Sequence, residues 1–159
     1  MLDPTTQAWL DQENAFVAQT IRRCGLYIQF VYGAESPPAT FAYTVGLFGL
    51  AHPELVVLSV DDGTAHALLN HLADRIRTGE NLIPGQLLMF DEWPHRIVVE
   101  ELPNAGEIVF SANQHYQRPQ EFSVPAYQLT YDDRQGRFPW DPGYANSADI
   151  QPRPGTWRA

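Results

Sequence analysis

The sequence contains no lysine and only one cysteine, and both shortages restrict its chemistry. All ten cationic residues are arginine, so the chain can form no lysine Schiff base and supplies no lysine to a phosphate-binding loop. Cys24 has no second cysteine with which to form an internal disulfide or a multi-cysteine zinc site. We expect Cys24 to be a small buried residue at a helix end rather than a nucleophile.

Positive charge is also scarce, because the formal net charge is −9 at pH 7. Nucleic acids and anionic membrane surfaces need a positive footprint, so neither is an expected partner. The chain has no apolar run of membrane-spanning length, and its N-terminus lacks the pattern of a signal peptide. We therefore expect a soluble, cytoplasmic protein. The acid pairs Asp91-Glu92 and Glu100-Glu101 are typical of a solvated face or of a surface for a basic protein partner.

Motifs that would identify a reaction are missing as well. The chain has no phosphate loop, no dinucleotide glycine fingerprint, no zinc motif and no nucleophile elbow. The sequence predicts no metal site and leaves any cofactor unknown.

Hydrophobic spacing predicts two long helices. The first begins at Asp3-Pro4 and closes at Gly25, and the second covers residues 63–78 with an apolar stripe along one side. Strands are predicted over residues 26–32, 40–45, 55–60, 86–90, 96–102 and 127–131. Residues 108–116 fit either a helix or a strand. Because strands and helices do not alternate regularly, we expect an α+β fold with a mainly antiparallel sheet.

The C-terminal segment is rich in proline and aromatic residues. Prolines at four positions exclude regular structure, and the tryptophans between them suggest packing against the rest of the protein. We therefore expect one domain over residues 1–159, with residues 139–159 as an extended tail packed on it. Trp140, which lies between two prolines, is predicted to seal one edge of the core.

Two separated segments resemble one known family. They are Phe41–Leu47 followed by His52–Leu55, and Gln128–Tyr144 followed by the dipeptide Gln151-Pro152. Together they resemble the signatures of a bacterial family called domain of unknown function 4262, over about residues 25–152. This resemblance implies no reaction and no catalytic residues, because the family supplies none.

The first candidate site lies in the glycine-containing link between two predicted strands. His52 could act as a general base with Glu54 orienting it and Thr44 donating a hydrogen bond, next to Tyr43. The structural interpretation is favoured, since no serine, cysteine or second base lies close in sequence. In that interpretation Glu54 accepts hydrogen bonds from nearby loop amides.

The second candidate comprises Asp132, Asp133, Asp141 and Trp140. Three acids could bind a hard cation, but their spacing differs from that of a calcium loop, so a turn is the favoured interpretation. Tyr43, Trp140 and Asp141 are the candidate ligand-binding residues. The remaining histidines show no ligand spacing, and His95 receives no role.

The sequence favours a small acidic non-enzymatic binding or interaction module for a protein partner or a small ligand. The alternative is a small hydrolase or transferase with its site near Thr44, His52 and Glu54. A third hypothesis is a cofactor-binding domain whose aromatic side chains stack on a flavin-like ring. A homodimer is compatible with the exposed aromatic candidates Trp93, Trp140, Tyr144 and Trp157.

Overall fold

A computed structural model describes residues 1–159 and contains three α-helices and six strands, besides short 3₁₀ turns. The helices are α1 (Pro4–Cys24), α2 (Asp62–Arg77) and α3 (Phe110–His115). The strands are β1 (Tyr27–Tyr32), β2 (Thr40–Val45), β3 (Glu54–Leu58), β4 (Leu87–Leu88), β5 (Ile97–Glu101) and β6 (Ala126–Tyr131).

The strands form one sheet in the order β1-β2-β3-β6-β5-β4. Only β3 and β6 pair in parallel, with Glu54 opposite Ala126, and the other four pairs are antiparallel. β5 meets β6 with Ile97 opposite Tyr131. The predicted α+β fold with a mainly antiparallel sheet is therefore confirmed.

Helices cover both faces of the sheet. On one face the apolar stripe of α2, which includes Leu69 and Leu72, packs against Leu55 and Leu129. On the other face α1 and α3 pack over residues such as Tyr43, together with a tryptophan from the C-terminal segment. Because both faces are covered, every residue of β3 is buried, as its continuous apolar run predicts.

Capping side chains set the ends of the two long helices. The carboxylate of Asp3 accepts from the Thr6 amide at the start of α1, and Asp61 accepts from the Thr64 amide at the start of α2. Gly25 ends α1 with a φ of 82°, a left-handed conformation that glycine adopts without strain. Both helices thus begin and end close to the predicted positions.

Some local predictions are wrong. Cys24 is exposed, as are Arg22 and Arg23 before it in the last turn of α1, so this turn does not bury its thiol. The strand predicted over 86–90 shortens to two residues. Trp140 does not seal the core, because it is 47% exposed, while Trp157 is 4% exposed and packs against Phe41. Trp157 is therefore not a surface aromatic.

The ambiguous segment 108–116 contains a short helix, α3, at its centre. No helix of the protein combines the length and the apolar character needed to cross a bilayer.

Candidate functional site

The carboxylate of Glu54 is buried in the connector between β2 and β3, residues 46–53. It accepts hydrogen bonds from three consecutive backbone amides, those of Gly46 (3.1 Å), Leu47 (3.1 Å) and Phe48 (3.0 Å). The Thr44 hydroxyl donates a fourth bond of 2.7 Å and itself accepts from the amide of Leu55. The connector is thus an anion-binding loop whose anion is part of the same chain.

Glycine is required where this connector begins. Gly46 has a φ of 135°, and a Cβ atom there would lie 3.2 Å from the carbonyl oxygen of Gly25. This conformation turns the chain so that its next amides point at Glu54. Burial raises the pKa of Glu54, while its four donors favour the ionised form and act in the opposite direction.

Both ring nitrogens of His52 are engaged. Nε2 lies 3.1 Å from the amide nitrogen of Leu82, which can only donate, so Nε2 is the acceptor. Nδ1 lies 2.7 Å from the carbonyl oxygen of Pro53 and therefore carries the proton. The side chain is 3% exposed, so His52 has no free lone pair with which to take a proton from a substrate.

Tyr43 belongs to the same closed region but faces α3. It is 2% exposed, and its hydroxyl accepts a 2.9 Å hydrogen bond from the amide of Ser111. Burial raises the pKa of this phenol. The structure therefore brings Thr44 and Glu54 together as an internally hydrogen-bonded support with no opening to a ligand. His52 bonds to Pro53 and Leu82 instead, so the prediction that Glu54 orients it is wrong.

A second polar cluster lies just beyond β6. Asp132 is 1% exposed, and its carboxylate accepts from the Arg96 amide at 3.1 Å and from Arg96 Nε at 2.9 Å. His95 Nδ1 lies 2.7 Å from the Asp132 carbonyl oxygen and 3.2 Å from its carboxylate Oδ1. Because both are acceptors, Nδ1 carries the proton and donates to Asp132.

This arrangement leaves Nε2 of His95 as an acceptor in the neutral ring. It has no hydrogen-bond partner within the protein, and the side chain is 20% exposed. A carboxylate that fixes one nitrogen of an imidazole while the other stays free resembles the orienting pairs found in binding and catalytic sites.

Aromatic rings surround this imidazole. The ring centroid of Trp93 lies 4.8 Å from that of His95, and the ring centroid of Tyr131 lies 5.5 Å from it. Phe90 extends the group at 5.9 Å from Trp93. The Tyr131 hydroxyl donates to the carbonyl oxygen of Leu58 and so does not compete for Nε2.

The aromatic group forms one wall of an open cleft. A cavity of about 790 Å³ lies between α2 and the loop that links β4 to β5, and a neighbouring one of about 360 Å³ is lined by His95 and Arg96. Trp93 lines both, so we call the combined space the Trp93 cleft. It lies at the carboxyl ends of the parallel strands β3 and β6, where ligands bind in many open α/β sheets.

The larger part of the cleft is acidic. Asp61, Asp91 and Glu92 line it, and its lining includes no arginine. Neither Asp91 nor Glu92 forms a salt bridge, whereas the charge of Arg96 is held by Asp132. The cleft therefore combines aromatic rings with unpaired negative charge. No group of three or more His, Cys, Asp or Glu side chains could hold a metal ion.

Asp133, Asp141 and Trp140 lie outside this cleft. Asp133 accepts from the amides of Gln135, Arg137 and Ala145, and these bonds lower its pKa although burial alone would raise it. Asp141 accepts from the Phe138 amide, and Trp140 stacks on Phe138 at 4.9 Å. These acids close turns, in agreement with the turn interpretation.

The two polar clusters are far apart. Glu54 is paired with Ala126 in the parallel register, and Asp132 lies six residues further along β6 and its extension. At about 3.3 Å per residue this separates them by roughly 20 Å. Glu54 and Asp132 therefore do not converge on one pocket.

Sequence reasoning missed His95 and the Trp93 cleft. The cleft depends on the pairing of Ile97 with Tyr131, which puts Arg96 opposite Asp132 and brings His95, one residue further along, within hydrogen-bond distance of Asp132. His95 and Asp132 lie 37 positions apart, and no local spacing connects them. The sequence signal that could have found them was the coincidence of Trp93 and His95 next to an acidic pair before a strand.

One family model matches most of the chain. The model of the family described as "Domain of unknown function (DUF4262)" matches residues 20–145, so the chain belongs to that family. The match includes both clusters but not the dipeptide Gln151-Pro152. No curated protein and no solved structure matches the chain.

Proposed function

We propose that this protein is a non-enzymatic binding module that takes a cationic group, such as an ammonium or guanidinium, in the Trp93 cleft. The observation that carries the proposal is the combination of Trp93 and Phe90 with the unpaired acids Asp91 and Glu92 in one open cavity of about 790 Å³. Aromatic faces attract cations, and nearby carboxylates add charge complementarity.

The charge of the whole chain supports the same ligand class. With a net charge of −9, the protein attracts cationic small molecules or basic segments of other proteins over a long range. A basic side chain of a partner protein and a free amine share this chemistry, so both fit the cleft.

The test is a titration of the whole chain with butylammonium, which joins one cation to one short apolar arm. Cation–aromatic attraction of about 2 kcal/mol, together with the carboxylates, gives an expected Kd in the millimolar range. Trp93→Leu should weaken binding about tenfold. Binding to the wild type is measured by the shift of the Trp93 indole N–H resonance. Because Trp93→Leu lacks this indole, its binding is followed on backbone amide resonances and on those of the remaining tryptophan rings.

Trp9→Leu serves as the matched control, because Trp9 is 58% exposed on α1, away from the cleft. Its affinity for butylammonium should equal that of the wild type. Equal binding by the Trp93→Leu variant, or no saturable binding by the wild type, would contradict the proposal.

A hydrolase or transferase site at Thr44, His52 and Glu54 is the alternative function. The hydrogen bonds there support it less, since every polar side-chain atom of His52 and Glu54 has an internal partner. Activity that disappears in His52→Ala while the protein keeps its melting temperature would restore this alternative.

A further inference from the structure

We infer that His95 determines the specificity of the Trp93 cleft: its Nε2 accepts a hydrogen bond from the ligand, so the cleft selects cations that carry N–H groups over quaternary ammonium ions. This inference rests on the proposed function and names the ligand class within it. It depends on the tautomer of His95, on the free nitrogen and on the adjacent aromatic ring.

The tautomer follows from the partners of Nδ1. Both atoms near it, the carbonyl oxygen and the carboxylate Oδ1 of Asp132, can only accept, so the neutral ring has its proton on Nδ1. Arg96 binds the same carboxylate through Nε at 2.9 Å and donates to the carbonyl oxygen of Gly136, which holds Asp132 in place. The neutral imidazole thus presents an acceptor, not a donor, at Nε2.

His95 lines the smaller part of the cleft, and Trp93 lines both parts and so connects His95 to the larger one. The centroids of His95 and Trp93 are 4.8 Å apart, so a cation over the indole is close to the imidazole. The neighbouring polar groups are already occupied: the Tyr131 hydroxyl donates to Leu58, and Arg96 is paired with Asp132. Of the polar rings in contact with the indole, His95 therefore has the unpaired acceptor, while Asp91 and Glu92 add negative charge from the cleft lining.

An aromatic surface alone does not require N–H groups, because ring faces attract quaternary ammonium ions as well. An acceptor that the ligand removes from solvent changes this, since a quaternary ion would cover Nε2 without satisfying it. A hydrogen bond to a charged donor corresponds to about tenfold or more in affinity. We expect the cleft to discriminate by that factor.

The experiment compares butylammonium with butyltrimethylammonium, which has the same arm and charge but no N–H group. The measured quantity is the selectivity, the ratio of the Kd for butyltrimethylammonium to the Kd for butylammonium. This ratio should be about tenfold higher in the wild type than in His95→Phe, which keeps an aromatic ring but removes the acceptor. His66→Phe is the control, because His66 is on the exposed side of α2 with Nδ1 next to the Asp62 carbonyl oxygen. It should keep the wild-type selectivity.

A second measurement uses the wild type alone, in case His95→Phe fails to fold after losing its bond to the buried Asp132. The ¹⁵N resonance of His95 Nε2 should move on addition of butylammonium and stay nearly unchanged with butyltrimethylammonium.

The outcomes separate the two claims. Saturable binding of both ions with the same selectivity in wild type and His95→Phe would overturn the inference and leave the proposed function standing. Loss of selectivity in His71→Phe instead would reassign the acceptor to the other histidine that lines the cleft and also overturn the inference. If neither ion binds to the wild type, the proposed function itself is overturned.

Discussion

Glu54, which follows the β2–β3 connector, and Asp132, which holds His95 at the Trp93 cleft, are both buried carboxylates, and the two regions differ in the partners of their histidines. In the connector, every bond of His52 and Glu54 ends on another group of the chain. In the cleft, Asp132 is saturated by Arg96 and His95, but Nε2 of His95 has no partner and the side chain reaches solvent. The same residue types thus support the fold in one place and remain available to a ligand in the other.

This difference shows that residue type alone does not identify a site. A carboxylate and an imidazole in a glycine-containing loop resemble catalytic groups. Because a buried polar group without a partner destabilises the fold, Glu54 and His52 are both hydrogen-bonded within the protein. Availability, meaning an unpaired atom at a cavity wall, separates the two regions. Substitutions should therefore affect stability in the connector and ligand affinity in the cleft.

The largest expected effect is that of Glu54→Gln. The amide side chain puts a donor where the amides of residues 46–48 need an acceptor, so unfolding in urea should show a loss of about 3 kcal/mol or more. Glu13→Gln, an exposed change on α1, should alter stability by less than about 0.5 kcal/mol. An unchanged urea midpoint in Glu54→Gln would mean that the connector is not held by its internal anion.

His52→Ala should come next, with a loss of about 2–3 kcal/mol. The change leaves the Leu82 amide without its acceptor and opens a cavity beside Tyr127, whose ring packs against the imidazole at 5.8 Å. The exposed His66→Ala is the control for thermal unfolding. Wild-type stability in His52→Ala would remove the main objection to a catalytic role for this residue.

The third prediction concerns pH. The pKa of Asp133 is lowered in the folded protein, although its burial acts against this, because backbone amides of residues 135, 137 and 145 donate to its carboxylate. A lowered pKa stabilises the fold above the unfolded value of about 3.9, and this contribution is lost as the pH falls through the folded value.

Thermal unfolding measured from pH 7 to pH 2 should therefore show a steeper fall below about pH 4 in the wild type than in Asp133→Asn. Asp141→Asn provides a comparison in the same segment, since Asp141 accepts from a single amide, that of Phe138. Parallel curves for the wild type and Asp133→Asn would show that this carboxylate does not contribute to the acid limit of stability.

Much of the fold could be predicted from the sequence, because local patterns carry it. The stripe of α2, the caps at Asp3 and Asp61, and the continuous apolar run of β3 each follow from short-range spacing. The acceptor role of Glu54 toward loop amides was also predictable, since the carboxylate lies only six to eight residues from its donors.

The candidate site could not be predicted in the same way. His95 acquires its partner through the register of β5 against β6, a contact between residues far apart in sequence. The predictions for Trp140 and Trp157 were wrong for a related reason. Both residues have proline-rich sequence neighbours, and only the path of the chain puts Trp157 beside Phe41. Composition predicts that an aromatic side chain will pack somewhere, but not which one.

The smallest expected change in stability is that of Trp93→Leu, and it tests the comparison most directly. Trp93 is half-buried at the cleft wall and forms no side-chain hydrogen bond, so its replacement should lower the free energy of unfolding by about 1 kcal/mol or less. The same variant should bind butylammonium about tenfold more weakly, whereas His52→Ala should keep its affinity while losing stability. If Trp93→Leu instead unfolds as readily as Glu54→Gln, the cleft is part of the structural core, and the distinction between a closed and an available cluster fails.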